Sequence, residues 1–535
     1  MLTLSILAPI VAVIIIGLLP ASKSEKPSKT MMYISMAASL ISMAASFIAA
    51  SGFSSVNPDF QLTEVWFTSV ENGINWSFAL DGLSLGLYIL TAVLFPIGIY
   101  YSYVSFETQS AQGEAIRRQK LFYSSLLILE TSVLGVFAAQ NLIVFYVFWE
   151  LMLVPMVLLI GIWGGKNKKY ATIKFFLYTF GGSVFLIFGI IAILYYQTQS
   201  KLSFDLTDNL VMSLSQFPHA VKVYLFWAFI ISFLIKIPVF PVHTWLPHAH
   251  TEAPTVGSVI LAGVLLKMGT YGVVRFSLPF FPLVSQEYAD LFMVIGVIGI
   301  IYGAWLAWAQ TDIKKLVAYS SVSHMGYIVL GMFSGNIIGL TGAYMQMINH
   351  GISTGLLFLL VGIIYDRTHT REIDDYGGLA KLSPLYAIIF MIATLSSVGL
   401  PGTNGFVGEF LILLGTFLAN KTAAVLAVSG VIFGAVYMLH LYKQVFFGEP
   451  SEKLLKIKEK ISLNMTFKEV LLTVPFIVMI FWLGVKPGLL LDTTDASLKK
   501  ILNTTVQAEL AEKNLLKSVK AANIKTEIKK TEEGL

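Results

Sequence analysis

At 535 residues, 56% hydrophobic and only 13% charged, the chain is far poorer in charge than a soluble protein, in which about a quarter of residues are ionic; it is a polytopic membrane protein. It contains no cysteine, which excludes disulfides, thiolate metal sites and cysteine-bound iron–sulfur clusters. A net charge of +5 is ordinary for a membrane protein, and nothing resembles a nucleic-acid footprint.

Crossing about 30 Å of hydrocarbon takes roughly 20 apolar residues in a helix. Such runs fall at 2–20, 31–50, 79–104, 121–138, 141–163, 171–196, 221–243, 256–278, 288–308, 315–335, 337–364, 384–418, 421–447 and 468–491. They predict fourteen spans and an all-α fold. The first run lacks a basic n-region and a cleavage site, so it reads as a span and not as a removed signal. The connections are short and polar, apart from 51–78 and the lysine-bearing 451–467.

Lysine and arginine collect in the loops after odd-numbered spans: Lys23, Lys26 and Lys29; Arg117, Arg118 and Lys120; Lys166, Lys168 and Lys169; Lys314 and Lys315; Arg367, Arg371 and Lys381; and the lysines near 456. Loops after even-numbered spans hold only Lys201, Lys222, Arg275 and Lys421. Positive charge marks the cytoplasmic face. The N-terminus is therefore expected outside, as is the lysine- and glutamate-rich tail after the last span.

Two spans carry breakers. The seventh contains Ile237-Pro238-Val239-Phe240-Pro241, and the twelfth contains Gly399-Leu400-Pro401-Gly402-Thr403-Asn404-Gly405. Proline removes a helical hydrogen bond and clashes with the preceding turn, so both should break near the membrane middle. Broken helices five spans apart mark repeated halves with a functional site at each break. This pairs spans four to eight (121–278) with nine to thirteen (279–450), and an odd number of helices per unit requires the units to be inverted. Residues 1–120 then hold the first three spans, 451–495 a charged loop with the last span, and 496–535 a polar extramembrane tail.

An ionisable group in a membrane helix is costly and normally faces a partner, a wet cavity or an ion path. Glu150 lies in the middle of the fifth span, Lys236 deep in the seventh and Lys267 in the eighth. His324 and His350 lie in the tenth and eleventh, and Glu409 directly follows the break in the twelfth. Glu130 in the fourth span is a weaker candidate. His243, His248 and His250 fall in a Pro/His-rich connector near the membrane edge. The chemistry these residue types share is proton transfer. Burial moves lysine and glutamate toward neutrality, histidine relays protons through two ring nitrogens, and broken helices admit water. A charge at Glu150 would hold Lys236 protonated, and its withdrawal would let the proton go. No metal-ligand cluster, nucleophile elbow or phosphate-cradling loop has convincing spacing.

Five stretches carry a resemblance: Phe148-Trp149-Glu150-Leu151-Met152-Leu153-Val154-Pro155-Met156, His243-Thr244-Trp245-Leu246-Pro247, Leu265-Leu266-Lys267-Met268-Gly269, Ala318-Tyr319-Ser320-Ser321-Val322-Ser323-His324-Met325-Gly326 and Tyr376-Gly377-Gly378-Leu379. Over roughly residues 75–450 the chain resembles the M-type antiporter-like subunits of proton-pumping NADH:quinone oxidoreductase, respiratory complex I. Glu409, where sibling subunits typically have lysine, and the want of a long lateral helix separate it from the L and N types. The resemblance implies a bacterial inner-membrane subunit, with mitochondrial inner membrane or thylakoid as the alternatives. It would translocate protons within the enzyme without doing redox chemistry itself. It implies Glu150 and Lys236 as a coupling pair, Lys267 with His243, His250, His324 and His350 as the central path, and Glu409 at the second half-channel. NADH, flavin mononucleotide, iron–sulfur clusters and quinone would belong to partner subunits, with sibling antiporter-like subunits on both sides in the bilayer. Open alternatives are a subunit of a multisubunit sodium/proton antiporter, a plastoquinone- or hydrogenase-linked relative of the complex, and a self-contained solute transporter.

Overall fold

The computed structural model describes residues 1–20, 26–69, 73–112, 118–197, 204–504 and 507. Lys23, Arg117, Lys201 and the tail from 508 onward lie outside the described residues. Within them, eleven helices are long and apolar enough to cross a membrane, and shorter apolar helices stand at Leu2–Leu18, Pro384–Val398 and Asn404–Ala419. These helices are apolar nearly all round, as burial on one side and lipid on the other demands. Their ends are capped by short polar residues. Asp81 accepts from the Ser84 amide at the start of Gly82–Ala111, and Asp312 accepts from the Lys314 and Lys315 amides at the start of Ile313–Met332.

Two helices form the centre. Thr255–Phe280 and Ile337–Thr368 are buried throughout their most apolar stretch, whereas Lys29–Ser51, Lys168–Tyr196, Lys421–Phe446 and Phe467–Val485 face outward over most of theirs. The central pair meets closely enough that a Cβ on Gly351 would come within 2.6 Å of the Gly263 carbonyl. Lys267 sits on one of these helices and His350 on the other, so both are held by the most enclosed scaffold in the molecule.

Both predicted breaks are present. The first half of the seventh span, His219–Lys236, ends at Lys236, and the chain resumes as Trp245–Glu252. The twelfth divides into Pro384–Val398 and Asn404–Ala419, joined through Gly399 and Gly402 at φ +77° and +93°. Glycine reaches that region without a Cβ penalty.

Several features depart from expectation. The fifth span is also interrupted, at Met152 between Leu142–Leu151 and Leu153–Trp163; Pro155 has no amide to offer the Leu151 carbonyl. The eighth contains two π turns, Leu261–Leu265 and Val273–Ser277, flanking Lys267. Most of the Pro/His-rich connector is the short helix Trp245–Glu252, in which His250 is fully buried. The connection 51–78 holds an antiparallel hairpin, Gln61–Ser69 with Ile74–Leu80, in an otherwise helical chain. Alternating Thr, Val, Trp and Phe favour it. The start of the tail is helical through 504 and packs back on this end: the Gly82 amide donates to Ser497, and Lys500 pairs with Asp59.

Candidate proton-relay site

The second break builds the denser half of the site. Glu409 lies in the second turn of the half-helix starting at Asn404. Its carboxylate faces the break, since a Cβ on Gly399 would lie 3.0 Å from Oε2. Glu409 Oε1 accepts from Gln346 Nε2 at 3.1 Å and pairs with His324 Nδ1 at 3.0 Å. His324 Nε2 stands 3.3 Å from the Ser397 hydroxyl. The His324 and His350 rings are 5.7 Å apart, centroid to centroid. His350 Nδ1 is 2.6 Å from Lys267 Nζ. Lys267 Nζ also donates to the Ala262 carbonyl, in the π turn five residues earlier. Such turns loosen the backbone ladder and recur at functional sites.

Lys267, His350, His324 and Glu409 therefore form one chain of titratable groups, 0, 2, 7 and 6% exposed. A cavity of about 10 Å³ lined by His324, Gln346, Asn349, His350 and Ser353 lies beside the two rings. That is close to the minimum for one water molecule. The break itself is held by polar side chains: Asn349 Nδ2 donates to the Asn404 carbonyl at 2.6 Å, and the Ser396 hydroxyl donates to Asn404 Oδ1 at 2.6 Å.

The first break is built differently. Lys236 is the last residue of its half-helix, where the dipole favours a cation, and is 3% exposed. Its ammonium lies over the Trp149 ring, 4.8 Å from the centroid, and 3.4 Å from Met152 Sδ. Glu150 interacts with it through charge and faces the Ser183 hydroxyl, but the two form no ion pair within 4 Å among the described contacts. Phe233 and Ile237 fill the space toward the eighth span so tightly that a Cβ on Gly269 would come within 2.8 Å of Ile237.

Besides Glu150 and Lys236, three predicted residues are not hydrogen-bonded into this chain. His250 stacks on Phe358 at 4.5 Å and 4°, with no hydrogen bond to either ring nitrogen. His243 packs edge-on to Tyr302, with Nδ1 unbonded. Glu130 turns toward the second span and accepts from Ser39 at 2.8 Å. The sequence reading also missed contributors. Gln346 was visible as the residue one helical turn before His350, Ser397 and Asn404 as polar residues inside the break, and Trp149 and Met152 as the immediate neighbours of Glu150 and of the Pro155 kink. Among the described residues, no group of three or more His, Asp or Glu is placed to hold a metal ion.

The family model described as NADH:quinone oxidoreductase/Mrp antiporter, TM, matches residues 139–434. The chain is 43% identical over 504 residues to NADH-quinone oxidoreductase subunit M of Rickettsia bellii, covering 94% of this chain and 98% of that one. It is 39% identical over 499 residues to NADH-ubiquinone oxidoreductase chain 4 of Marchantia polymorpha, covering 93% and 96%. Among solved structures it is similar to a chain of respiratory complex I from Thermus thermophilus with bound NADH, at a TM-score of 0.81 and 30% identity, covering 94% of this chain and all of that one.

Proposed function

The chain belongs to the family of NADH-quinone oxidoreductase membrane subunits named M in bacteria and chain 4 in mitochondria, and on that premise we propose that it moves protons along the Lys267–His350–His324–Glu409 chain. As a member it is an antiporter-like subunit of complex I. The observation that carries the proposal is the pair of contacts Lys267 Nζ with His350 Nδ1 and His324 Nδ1 with Glu409 Oε1, brought together by two histidine rings 5.7 Å apart, centroid to centroid, with His350 Nε2 left unbonded between them.

The ring atoms allow the transfers to be written one by one from Lys267 to Glu409. Lys267 gives a proton to neutral His350 at Nδ1. His350 then releases the proton on its other nitrogen, toward the small cavity and His324. His324 takes it at Nε2 and passes the Nδ1 proton to Glu409. Each ring returns to a neutral tautomer after a flip or a reverse proton shift, which is the use histidine's two nitrogens permit. The first break serves as the trigger. Glu150 acts on Lys236 through space, so a shift in the Glu150 charge changes how firmly the lysine keeps its proton. Trp149 holds the ammonium in place while this happens.

The arrangement supports further parts of the reading. Spans four to eight and nine to thirteen form two inverted units, the first broken in its seventh span and interrupted in its fifth and the second broken in its twelfth, in a fourteen-span subunit of the bacterial inner membrane. The basic loops face the cytoplasm, sibling antiporter-like subunits lie on both sides, and NADH, flavin, iron–sulfur clusters and quinone sit in other subunits. The experiment is NADH-driven proton pumping in membranes carrying the assembled complex with Lys267→Met or Glu409→Gln. Pumping should collapse while NADH oxidation by an artificial acceptor persists. Wild-type pumping in either variant would overturn the relay.

A further inference from the structure

The relay makes no use of Glu130, yet a carboxyl at 0% exposure in the fourth span is costly unless something neutralises it. It lies where Gln119–Ala138 packs against the first two spans, Leu2–Leu18 and Lys29–Ser51. No lysine, arginine or histidine among the described residues acts on it. Its surroundings are hydroxyls and backbone carbonyls instead, and Ser5, Ser39, Ser42 and Thr131 are all 0% exposed.

A proline decides which way those hydroxyls point. Pro9 stands inside the first span and has no amide, so the Ser5 carbonyl four residues earlier has no helical donor. The Ser42 hydroxyl takes that place, donating to the Ser5 carbonyl at 2.8 Å. Thr131, next to Glu130, donates to the neighbouring Ile6 carbonyl at 3.0 Å. A serine has one hydrogen to give. That of Ser42 is spent on the backbone, so it presents only lone pairs to the Glu130 carboxyl, which it also faces. Ser39 gives its hydrogen to Glu130 Oε1 at 2.8 Å, and Oε2 has no hydrogen-bond partner.

The set therefore lacks one hydrogen. An ionised carboxylate would turn its second oxygen toward lone pairs, in a buried place with no cation to offset the charge. A carboxylic acid has a hydrogen on Oε2 for Ser42 to accept, and keeps Oε1 as the carbonyl that Ser39 bonds.

We propose that Glu130 is a proton-binding site outside the relay: it holds its proton as a neutral acid and uses it as the hydrogen-bond donor that fastens the proline-kinked first span to the second and fourth. The proton stays in the joint. Beyond Ser42 stands a backbone carbonyl, which accepts a hydrogen bond but carries no proton onward. The fourth span opens the first of the two repeated units, so this joint ties that unit to the N-terminal spans.

The test uses the purified, assembled complex at neutral pH. The infrared difference between wild type and Glu130→Gln should contain a carboxylic-acid C=O band and no carboxylate band. Glutamine offers an N–H where the acid has its O–H, and a carbonyl for Ser39, so Glu130→Gln should leave the unfolding temperature unshifted. Glu130→Leu offers neither and should lower it by several degrees. A carboxylate band in the difference spectrum would overturn the proposal. So would a Glu130→Gln complex that unfolds well below wild type. An unfolding temperature that rises in sodium or potassium chloride over choline chloride, in wild type but not in Glu130→Gln, would put an alkali cation where the proton is placed. Loss of pumping in a Glu130→Gln complex of normal stability would show a proton that is exchanged, and would overturn the fixed donor. If Glu130→Leu fails to assemble, the infrared band and the glutamine variant decide.

Discussion

The two broken helices solve one problem by opposite means. At the first break, Lys236 rests against an indole face and a thioether, with its opposite charge held off and apolar side chains packed behind it. At the second, Glu409 is bonded to Gln346 and His324, and serines and asparagines tie the interrupted backbone together. A dry site acts by field: moving one charge alters another without any proton passing between them. A bonded site suits proton transfer, because Lys267 and His350, and His324 and Glu409, stand at hydrogen-bond distance and one small cavity lies beside the two rings. This difference is why the proposed function gives the trigger to the first break and the transfer to the groups around the second.

The sharpest way to break this comparison is at the conducting half. Lys267→Met removes the head of the chain, and pumping should fall about a hundredfold or more, the scale of a lost proton-transfer group. Glu409→Gln keeps the shape and the contact with His324 but cannot take up a proton, so a similar loss with normal assembly is expected in the same vesicle assay. Variants of the first half should cost less. Glu150→Gln or Lys236→Met is expected to reduce pumping about tenfold, within the range of coupling between sites, and the double variant should be no worse than either single one. Strict additivity would show that the two residues do not act as a pair.

Stability measurements sharpen the contrast further. Asn404→Ala removes hydrogen bonds across the second break and should cost about 1–3 kcal/mol in thermal unfolding of the complex. Trp149→Phe at the first break keeps an aromatic face under the Lys236 ammonium and should cost less, about 1 kcal/mol, from the weaker cation–π contact and the smaller ring. The smallest effect is expected at the surface. Hydrogen bonds from Lys453 and Thr370 hold the Asp375 carboxyl below its usual range. Its contribution is therefore present at neutral pH, above the unfolded value, and is lost only as the pH falls through the lower folded value. Asp375→Asn should change stability by less than about 1 kcal/mol and leave pumping untouched.

Much of this was legible in the chain itself. Hydropathy alone gives the bundle, because backbone groups in hydrocarbon must be satisfied within helices. Pro238 and Pro241 mark the first break, and Pro401 with Gly399 and Gly402 the second, by local backbone geometry. Lys236, Lys267, His324, His350 and Glu409 announce themselves through the cost of burying charge. These are properties of single residues or short windows, and they need no knowledge of neighbours.

Connectivity is another matter. That Lys267 reaches His350, and that His324 rather than His243 joins Glu409, depends on which helix faces cross, over separations of more than eighty residues. The same holds for the turn of Glu130 away from the relay and for the distance that keeps Glu150 from touching Lys236. Sequence determined which groups are expensive and where the helices fail. Only tertiary packing decided which of those groups are neighbours, because hydrogen bonding falls off within a fraction of an ångström and periodicity along one helix says nothing of the register between two.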